Sequence, residues 1–517
     1  MTYRSFIRSP RSEERLAANW SIPPGIEKEA FIRERLARLS RQLSVTYDWK
    51  DSLAGAVESW ENPDIPSGYT YFAQFVAHDC VQSTMPTLAL GLGGLPNRNH
   101  RSRILELDTI YGPGFDGCQH ARHKSELTKD GASKFQFSRM QDTRIANASC
   151  PARDLPRSRG DRRPMVADDR NDNNAIVSQM AVLFMMLHNT IVDGFSEWSW
   201  RIPKQLSREA SLYILARSVC IGVYRRLVAE DLMRRLLHPT IYARYATGSV
   251  RFLDQVDAER LPIEFPSTLR FGHSMVRPNY RFNDVYQRRE ELIDVLLTTS
   301  RGRPWRLPLD ESWAISWSKF FPVGGSHPNL SRRIGPSFSA DLLSDVVFGE
   351  LDGTNCPGIA YRDLLQCTMS PHWSVPALVN LLRRLAPEFA GPSRLFDDAV
   401  YREAAIVKWL EASSASTGLE AADILELSRD FPLAAYVLFE AAHENAGRHL
   451  GILGSILIAE VVFKALHERA SEELLDIPHP GKAETIMTET DKIASMSDLI
   501  GFLGARNERA SLMVSFV

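Results

Sequence analysis

Three short segments carry side chains that could do chemistry together. In YTYFAQFVAHDC, Tyr69 to Cys80, Gln74 and His78 are four residues apart. On a helix they project from one face, while Asp79 points about 100° away, so one element can serve two sites. In SRILELD, Ser102, Ile104, Glu106 and Asp108 alternate. An extended conformation puts them on one face as a hydroxyl, a main-chain carbonyl and two carboxylates, hard oxygen donors suited to Ca²⁺, with Asp79 as a further carboxylate. In LRFGHSMVRPNYRFND, from Leu269, His273 sits between a glycine and a serine. A flat group can approach such an imidazole closely, and imidazole is a common axial ligand of haem iron. Each segment also has a plain reading: a hydrogen-bonded helical histidine, an alternating polar strand, a satisfied core histidine. A fourth segment, DDRNDNN at Asp168 to Asn174, reads as the cap of an apolar helix, and its Arg170 as a solvated charge.

The elements that must position these residues are mainly helices. Apolar residues recur at helical spacing in IVSQMAVLFMMLHNTIVDGF from Ile176, in the run from Arg208 to Leu237, and in AAYVLFEAAHENAG from Ala434. There is no βαβ rhythm and no repeat of solenoid length, so the expectation is a mainly α protein built as one large helical domain. The segments from about Gly112 to Asp169 and from Arg301 to Pro336 read as surface loops. The predicted division is an N-terminal extension, residues 1–60, packed on a catalytic body, residues 61–517.

Composition narrows the function classes. In 517 residues, 61 Lys+Arg against 63 Asp+Glu leave a net charge of −2, which excludes a strongly basic nucleic-acid binder. Hydrophobic content of 44% and charged content of 24% are ordinary globular values. The six cysteines have no CxxC pairing, which predicts reduced thiols in a cytoplasmic location. The first twenty residues lack the apolar core of a signal peptide. The run from Gly451 to Leu466 carries Glu460 and Lys464, is too short to span a bilayer and reads as a buried helix. Phosphate-loop, zinc-protease, nucleophile-elbow and dinucleotide motifs are absent.

Taken in order, NPDIPSGYTYFAQFVAHD from Asn62, LDTIYGPG, DLPR, DDRNDNNAIVSQMAVLFMMLHNTIVD, RFGHSMVRPNYR and ISWSKFF resemble the animal-type haem peroxidase (peroxidase–cyclooxygenase) superfamily, in particular its bacterial members. The resemblance implies a helical fold around a central haem. It implies His78 as distal histidine with Gln74 beside it, Arg170 as distal arginine, His273 as iron ligand and Arg270 near the haem edge. Asp79, Ser102, Ile104, Glu106 and Asp108 match the family's calcium loop. The implied activity uses hydrogen peroxide to oxidise a small organic substrate through a ferryl intermediate. His78 would serve as base then acid, and Arg170 would stabilise negative charge on the departing oxygen.

The departures from the family carry information too. Mammalian members hold haem through esters from two carboxylates; the matching positions here are Ala77 and Asn173, so the expected cofactor is non-covalent haem b. Cyclooxygenase-like relatives place a radical-forming tyrosine where this chain has Arg270, with Tyr280 and Tyr286 further downstream. The best register puts Pro376 where an Asn or Gln would hydrogen-bond the proximal imidazole, which predicts a less imidazolate-like ligand unless His372 or Gln366 substitutes. Two other functions stay open on these grounds: a haem-dependent oxygenase or oxidative coupling enzyme using O₂, and a non-enzymatic haem sensor or degenerate scaffold. His188, on an apolar helix, reads as a satisfied core residue, and Cys80 as an inert buried thiol. The dipeptides Cys150-Pro151 and Cys356-Pro357 read as chance pairs rather than haem-responsive motifs.

Overall fold

The computed structural model describes residues 3–49, 58–82, 99–101, 104–112, 133–141, 149–196, 208–248, 252, 260–284, 289–299, 308–344, 347, 358–468 and 484–507. Ser102, Tyr286 and the Cys356-Pro357 dipeptide lie outside them, as do the side chains of Cys150 and Pro151. Helices dominate, as the apolar spacing predicts. Those that position the site are α1 (Lys28–Gln42), α2 (Gly68–Cys80), α3 (Ala175–Ser196), α4 (Arg208–Arg226), α5 (Glu264–Leu269), α6 (Ile359–Met369), α7 (Val375–Leu385), α8 (Leu433–Asn445) and α9 (Ile452–His467).

The central helix α3 starts at Asn174, whose Oδ1 accepts from the main-chain N–H groups of Ile176 and Val177 at 3.0 and 2.9 Å. This side-chain cap satisfies two N–H groups of the first turn. Its apolar run is long enough to cross a membrane, yet 89% of that window is buried by α2, α4 and their neighbours. α9 is likewise buried, and its first turn is capped from a distance by Glu440 of α8, which accepts from Leu453 and Gly454. Burial is the largest influence on that carboxyl and pushes its pKa up to about 8.

Strands are few and short. Among the described residues there are four two-stranded ladders, including a parallel pair of Tyr3–Arg4 with Leu261–Pro262 and an antiparallel pair of Glu61–Pro66 with Leu330–Arg332. Another, Ser138–Gln141 with Ser149–Asp154, falls inside the segment read as a loop from about Gly112 to Asp169. The N-terminal residues lie against the body. Phe6 donates its N–H to Glu264 at 2.8 Å, Trp373 Nε1 donates to the carbonyl of Phe6 at 3.1 Å, and the Arg8 guanidinium stacks over the Trp373 ring.

Candidate active site

α2 is buried along its whole length except at Ala73, Gln74 and Ala77, which are half-buried. At 100° per residue these three and His78 share one side of the helix, and Phe72, Phe75, Val76 and Asp79 the other. The aromatic side anchors the helix: Phe72 and Phe75 stack on Phe184 of α3 with centroids 6.0 and 5.1 Å apart, and Tyr224 meets all three edge-on. At the helix start a Cβ on Gly68 would lie 2.5 Å from the Phe321 ring and 2.6 Å from the Phe320 carbonyl, so only glycine lets the chain enter there. The anchored face thus leaves Gln74, half-buried, and His78, buried, on the opposite one.

His78 Nδ1 lies 3.0 Å from Asn171 Oδ1. The amide cannot be turned the other way, because Asn171 Nδ2 donates to the Thr109 carbonyl at 3.2 Å and to its hydroxyl at 2.7 Å, and a carbonyl only accepts. Nδ1 therefore carries the proton and Nε2 keeps its lone pair. Burial first, and then the charge of Arg170, lower the His78 pKa to about 4, so the ring is neutral at neutral pH. Asn171 escaped sequence reasoning, since nothing separates it from the other polar residues of DDRNDNN.

Arg170 stands at the C-terminal end of α2, bonded to main chain. Its Nη1 donates to the Val81 carbonyl at 2.7 Å, its Nη2 to the His78 carbonyl at 2.9 Å, and its Nε and Nη2 to Asp168. The buried Arg101 reaches the same His78 carbonyl at 2.9 Å and also pairs with Asp168. Burial would raise the Asp168 carboxyl, but Arg170, His78 and Arg101 outweigh it and hold it at about 2. The turn Asp169–Asp172 is fixed from behind by the DLPR segment: the Arg157 fork donates to both oxygens of Asp172 at 2.9 and 2.8 Å and to Asp154 at 2.8 Å. Asn173, next along, is exposed.

α2 meets the second half of the site where Thr70 Oγ1 donates to the Met275 carbonyl at 3.4 Å. The 3-10 segment Arg270–Met275 continues α5 and leaves Arg270, Gly272 and His273 half-buried. His273 Nδ1 lies 2.6 Å from Asp363 Oδ2, and Arg270 Nη1 donates to Asp363 Oδ1 at 2.5 Å. Asp363, on α6, is 3% exposed. This corrects the expectation that Pro376 occupies the partner position. Pro376 sits in the first turn of α7, where its missing N–H costs nothing, with Ser374 as the cap. His372 is not the substitute, because its Nε2 engages Ser267 Oγ at 2.8 Å and the Ile263 carbonyl at 3.1 Å. The signal was available: Asp363 is an acidic residue on the buried side of an otherwise mostly apolar helix, thirteen positions before the proline.

These features fit a flat tetrapyrrole. The less buried side of α2 carries the small Ala73 and Ala77, a Cβ added to Gly272 would meet nothing within 4 Å, and His273, engaged through Nδ1, keeps Nε2 to hold the iron. Ala77 and Asn173 offer no carboxylate for an ester.

Of the five calcium donors, Ser102 lies outside the described residues, and the other four are arranged differently from the expected strand. Leu105 and Leu107 have φ of 52° and 58°, so the segment is not extended, and Ile104, Glu106 and Asp108 do not alternate as a strand would place them. Asp79 Oδ2 and Oδ1 accept from the N–H groups of Leu107 and Thr109, both at 3.1 Å, which makes Asp79 a cap for the short helix Asp108–Tyr111. The buried Arg101 guanidinium already reaches the Asp108 carbonyl at 3.2 Å. Among the described residues no three His, Cys, Asp or Glu side chains gather to hold a metal ion.

His188 is satisfied in the core, between the Tyr111 hydroxyl at 3.0 Å and the Ser133 carbonyl at 2.8 Å. Burial pushes the Cys80 thiol well up, which suits an inert residue. Tyr280 is fully buried, and its hydroxyl accepts from the Arg277 N–H at 2.9 Å.

Residues 64–317 match the animal haem peroxidase family model. No curated protein matches the chain. Among solved structures it is similar to peroxidase A from Dictyostelium discoideum, at 13% identity and a TM-score of 0.53 over 97% of this chain and 93% of that one. It is also similar to the fatty acid alpha-dioxygenase of Arabidopsis thaliana, at 12% identity and a TM-score of 0.55 over 95% and 78% of the two chains. The Oryza sativa fatty acid alpha-dioxygenase follows at 14% and 0.54 over 91% and 79%. At these identities the likeness is one of fold.

Proposed function

Because this chain belongs to the animal haem peroxidase superfamily and is an oxidoreductase, we propose that it binds haem b non-covalently and uses hydrogen peroxide to oxidise a small organic molecule. When bound, haem supplies the redox chemistry on peroxide. His273 would hold the iron through Nε2, the ring nitrogen that Asp363 leaves available. The bare Nε2 of His78 would accept a proton from hydrogen peroxide and later return it, serving as base and then as acid. Gln74, one turn earlier on the same face, offers an amide to orient the peroxide. Arg170 acts beside His78: its charge helps keep the imidazole neutral, and so able to accept that proton, and adds a positive field where negative charge develops.

The observation that carries this reading is a buried, neutral His78 whose tautomer Asn171 fixes. Arg270, engaged on Asp363 at the position where cyclooxygenase-like relatives place their radical tyrosine, supports peroxide chemistry over tyrosyl-initiated oxygenation. The reading includes no calcium ion. The unpaired thiols of Cys80, Cys220 and Cys367 support a reducing location, and we place the protein in the cytoplasm.

The test is the visible spectrum of haem-loaded protein before and after one equivalent of hydrogen peroxide, for wild type and His78→Ala. A Soret band that shifts rapidly in wild type but not in the variant is expected. A wild-type band indifferent to peroxide, together with O₂ uptake in its absence, would transfer the assignment to an oxygenase.

A further inference from the structure

We propose that the cleft between the N-terminal segment, the start of α1 and the end of α6 binds a small organic carboxylate with an apolar body. The inference goes beyond the haem reading and does not depend on it.

The cleft is built from three pieces of chain distant in sequence. The stretch Ser12–Asn19 forms one wall, Lys28 and Ile32 of α1 a second, and Thr368–Pro371, where α6 ends, the third; together they enclose about 540 Å³. That is the size of an ordinary small-molecule site. The N-terminal wall is pinned in place. Leu16 donates its N–H to the His372 carbonyl at 3.0 Å, Ala17 donates to Asp430 Oδ2 at 2.7 Å, and Trp20 Nε1 donates to the Asp430 carbonyl at 3.2 Å. A ligand therefore meets walls that are already ordered, and little of its affinity is lost to ordering them.

The lining is divided by polarity. Leu16, Ile32 and Met369, all buried, make an apolar floor. The hydroxyls of Thr368 and Ser370 donate to the carbonyls of Leu364 and Gln366 at 2.9 and 2.8 Å, so they have no hydrogen left for an anion. The rim is cationic: Arg15 and Lys28 are exposed, and among the described residues no carboxylate pairs with either. Glu13, on the same rim, reaches Arg11 at 4.0 Å, and the cleft keeps one positive charge in excess. The stability of α1 does not account for Lys28. It is the first residue of the helix, the end at which the helix dipole disfavours a cation, and Glu27 already accepts from the N–H groups of Glu29 and Ala30 there.

Two cations without partners beside an apolar floor select the ligand. A carboxylate suits the planar fork of Arg15 and the point charge of Lys28, while an apolar body covers the floor. A phosphate dianion would exceed the charge in excess and leave that floor wet.

The experiment is isothermal titration calorimetry of haem-loaded, full-length protein at neutral pH with three probes: naphthylacetate, its neutral counterpart naphthylethanol, and acetate, which has the charge without the body. Naphthylacetate is expected to bind about tenfold or more tighter than either, since each lacks one of the two contacts. The double variant Arg15→Gln/Lys28→Gln should weaken naphthylacetate by a similar factor, Glu13→Gln should tighten it, and Ala18→Phe, at an exposed lining position, should block it by filling the space. Melting temperature and the response to peroxide should match wild type in all three variants, which keeps this proposal separate from the function above. Equal affinity for naphthylethanol would overturn the role of the cations. Naphthylacetate binding unchanged in both the double variant and Ala18→Phe would place the ligand elsewhere and overturn the cleft as its site, as would wild-type protein that binds none.

Discussion

Asn171 offers the sharpest test of the proton-transfer reasoning. It is fully buried, and its Oδ1 is the acceptor that keeps the proton of His78 on Nδ1. In Asn171→Ala that N–H is stranded, at a cost of about 1–3 kcal/mol, and the ring is no longer held with Nε2 bare. If the whole loss falls on the transition state, the reaction with peroxide slows by about 5- to 150-fold. That lies at or below the roughly 10²–10⁴ that general acid–base catalysis supplies in all, so His78→Ala must be at least as slow. Asn171→Asp probes the same contact with opposite chemistry. A carboxylate against Nδ1 favours the imidazolium and raises its pKa by about 1–3 units from about 4. Protonated His78 cannot accept a proton, so the wild-type rate should be flat at neutral pH and fall only as pH drops towards 4, whereas the Asp variant should begin to fall between about pH 5 and 7. Stopped-flow mixing with peroxide, followed at the Soret band across pH, reads both effects, with haem content and melting temperature as controls. An Asn171→Ala variant with wild-type rate, or an Asp variant whose acid limb stays near pH 4, would refute the role of this hydrogen bond.

Further outcomes follow from the surrounding structure. Asp168→Ala leaves the buried Arg101 guanidinium without its carboxylate, and denaturant unfolding should show a loss of about 3–5 kcal/mol. Gly451→Ala places a Cβ 2.2 Å from the Glu440 side chain that caps α9, and the same measurement should show a loss of about 1–3 kcal/mol. Acid butanone should extract all haem, since Ala77 and Asn173 have no carboxylate; haem left on the polypeptide, seen by mass spectrometry, would contradict this. Chelation with EGTA should leave the melting temperature unchanged, because Asp79 is held by main-chain N–H groups; a fall would restore a structural calcium ion.

Much of the fold was legible because long amphipathic or wholly apolar runs have few alternatives. The run from Ile176 became α3 and that from Gly451 became α9, both as buried helices. The side chains of α2 were legible for the same reason, since a spacing of four fixes Gln74 and His78 on one face whatever lies opposite. What was hidden was pairing across sequence distance. The partner of His78 lies 93 positions away and that of His273 90 positions away; Asn171 has no local signature, and Asp363, though marked as a buried acid on an apolar helix, has nothing local that names its partner. The SRILELD segment misled for a different reason. Alternation predicts a strand, but Leu105 and Leu107 in left-handed conformation turn the chain so that the N–H groups of Leu107 and Thr109 reach Asp79, and these tertiary bonds override local preference.

The N-terminal residues lying against Glu264 and Trp373 have a consequence for the order of assembly. Phe6 is 258 positions from Glu264 and 367 from Trp373. At about 5–20 residues per second, the first few residues of a nascent chain wait roughly 20–70 s before Trp373 has even been made. The base on which His273 rests is therefore closed by contacts of very high sequence separation, the kind that form late and slowly. Haem capture on that side should wait until Trp373 has been made, and deleting residues 1–10 should slow maturation more than it lowers the stability of protein already assembled.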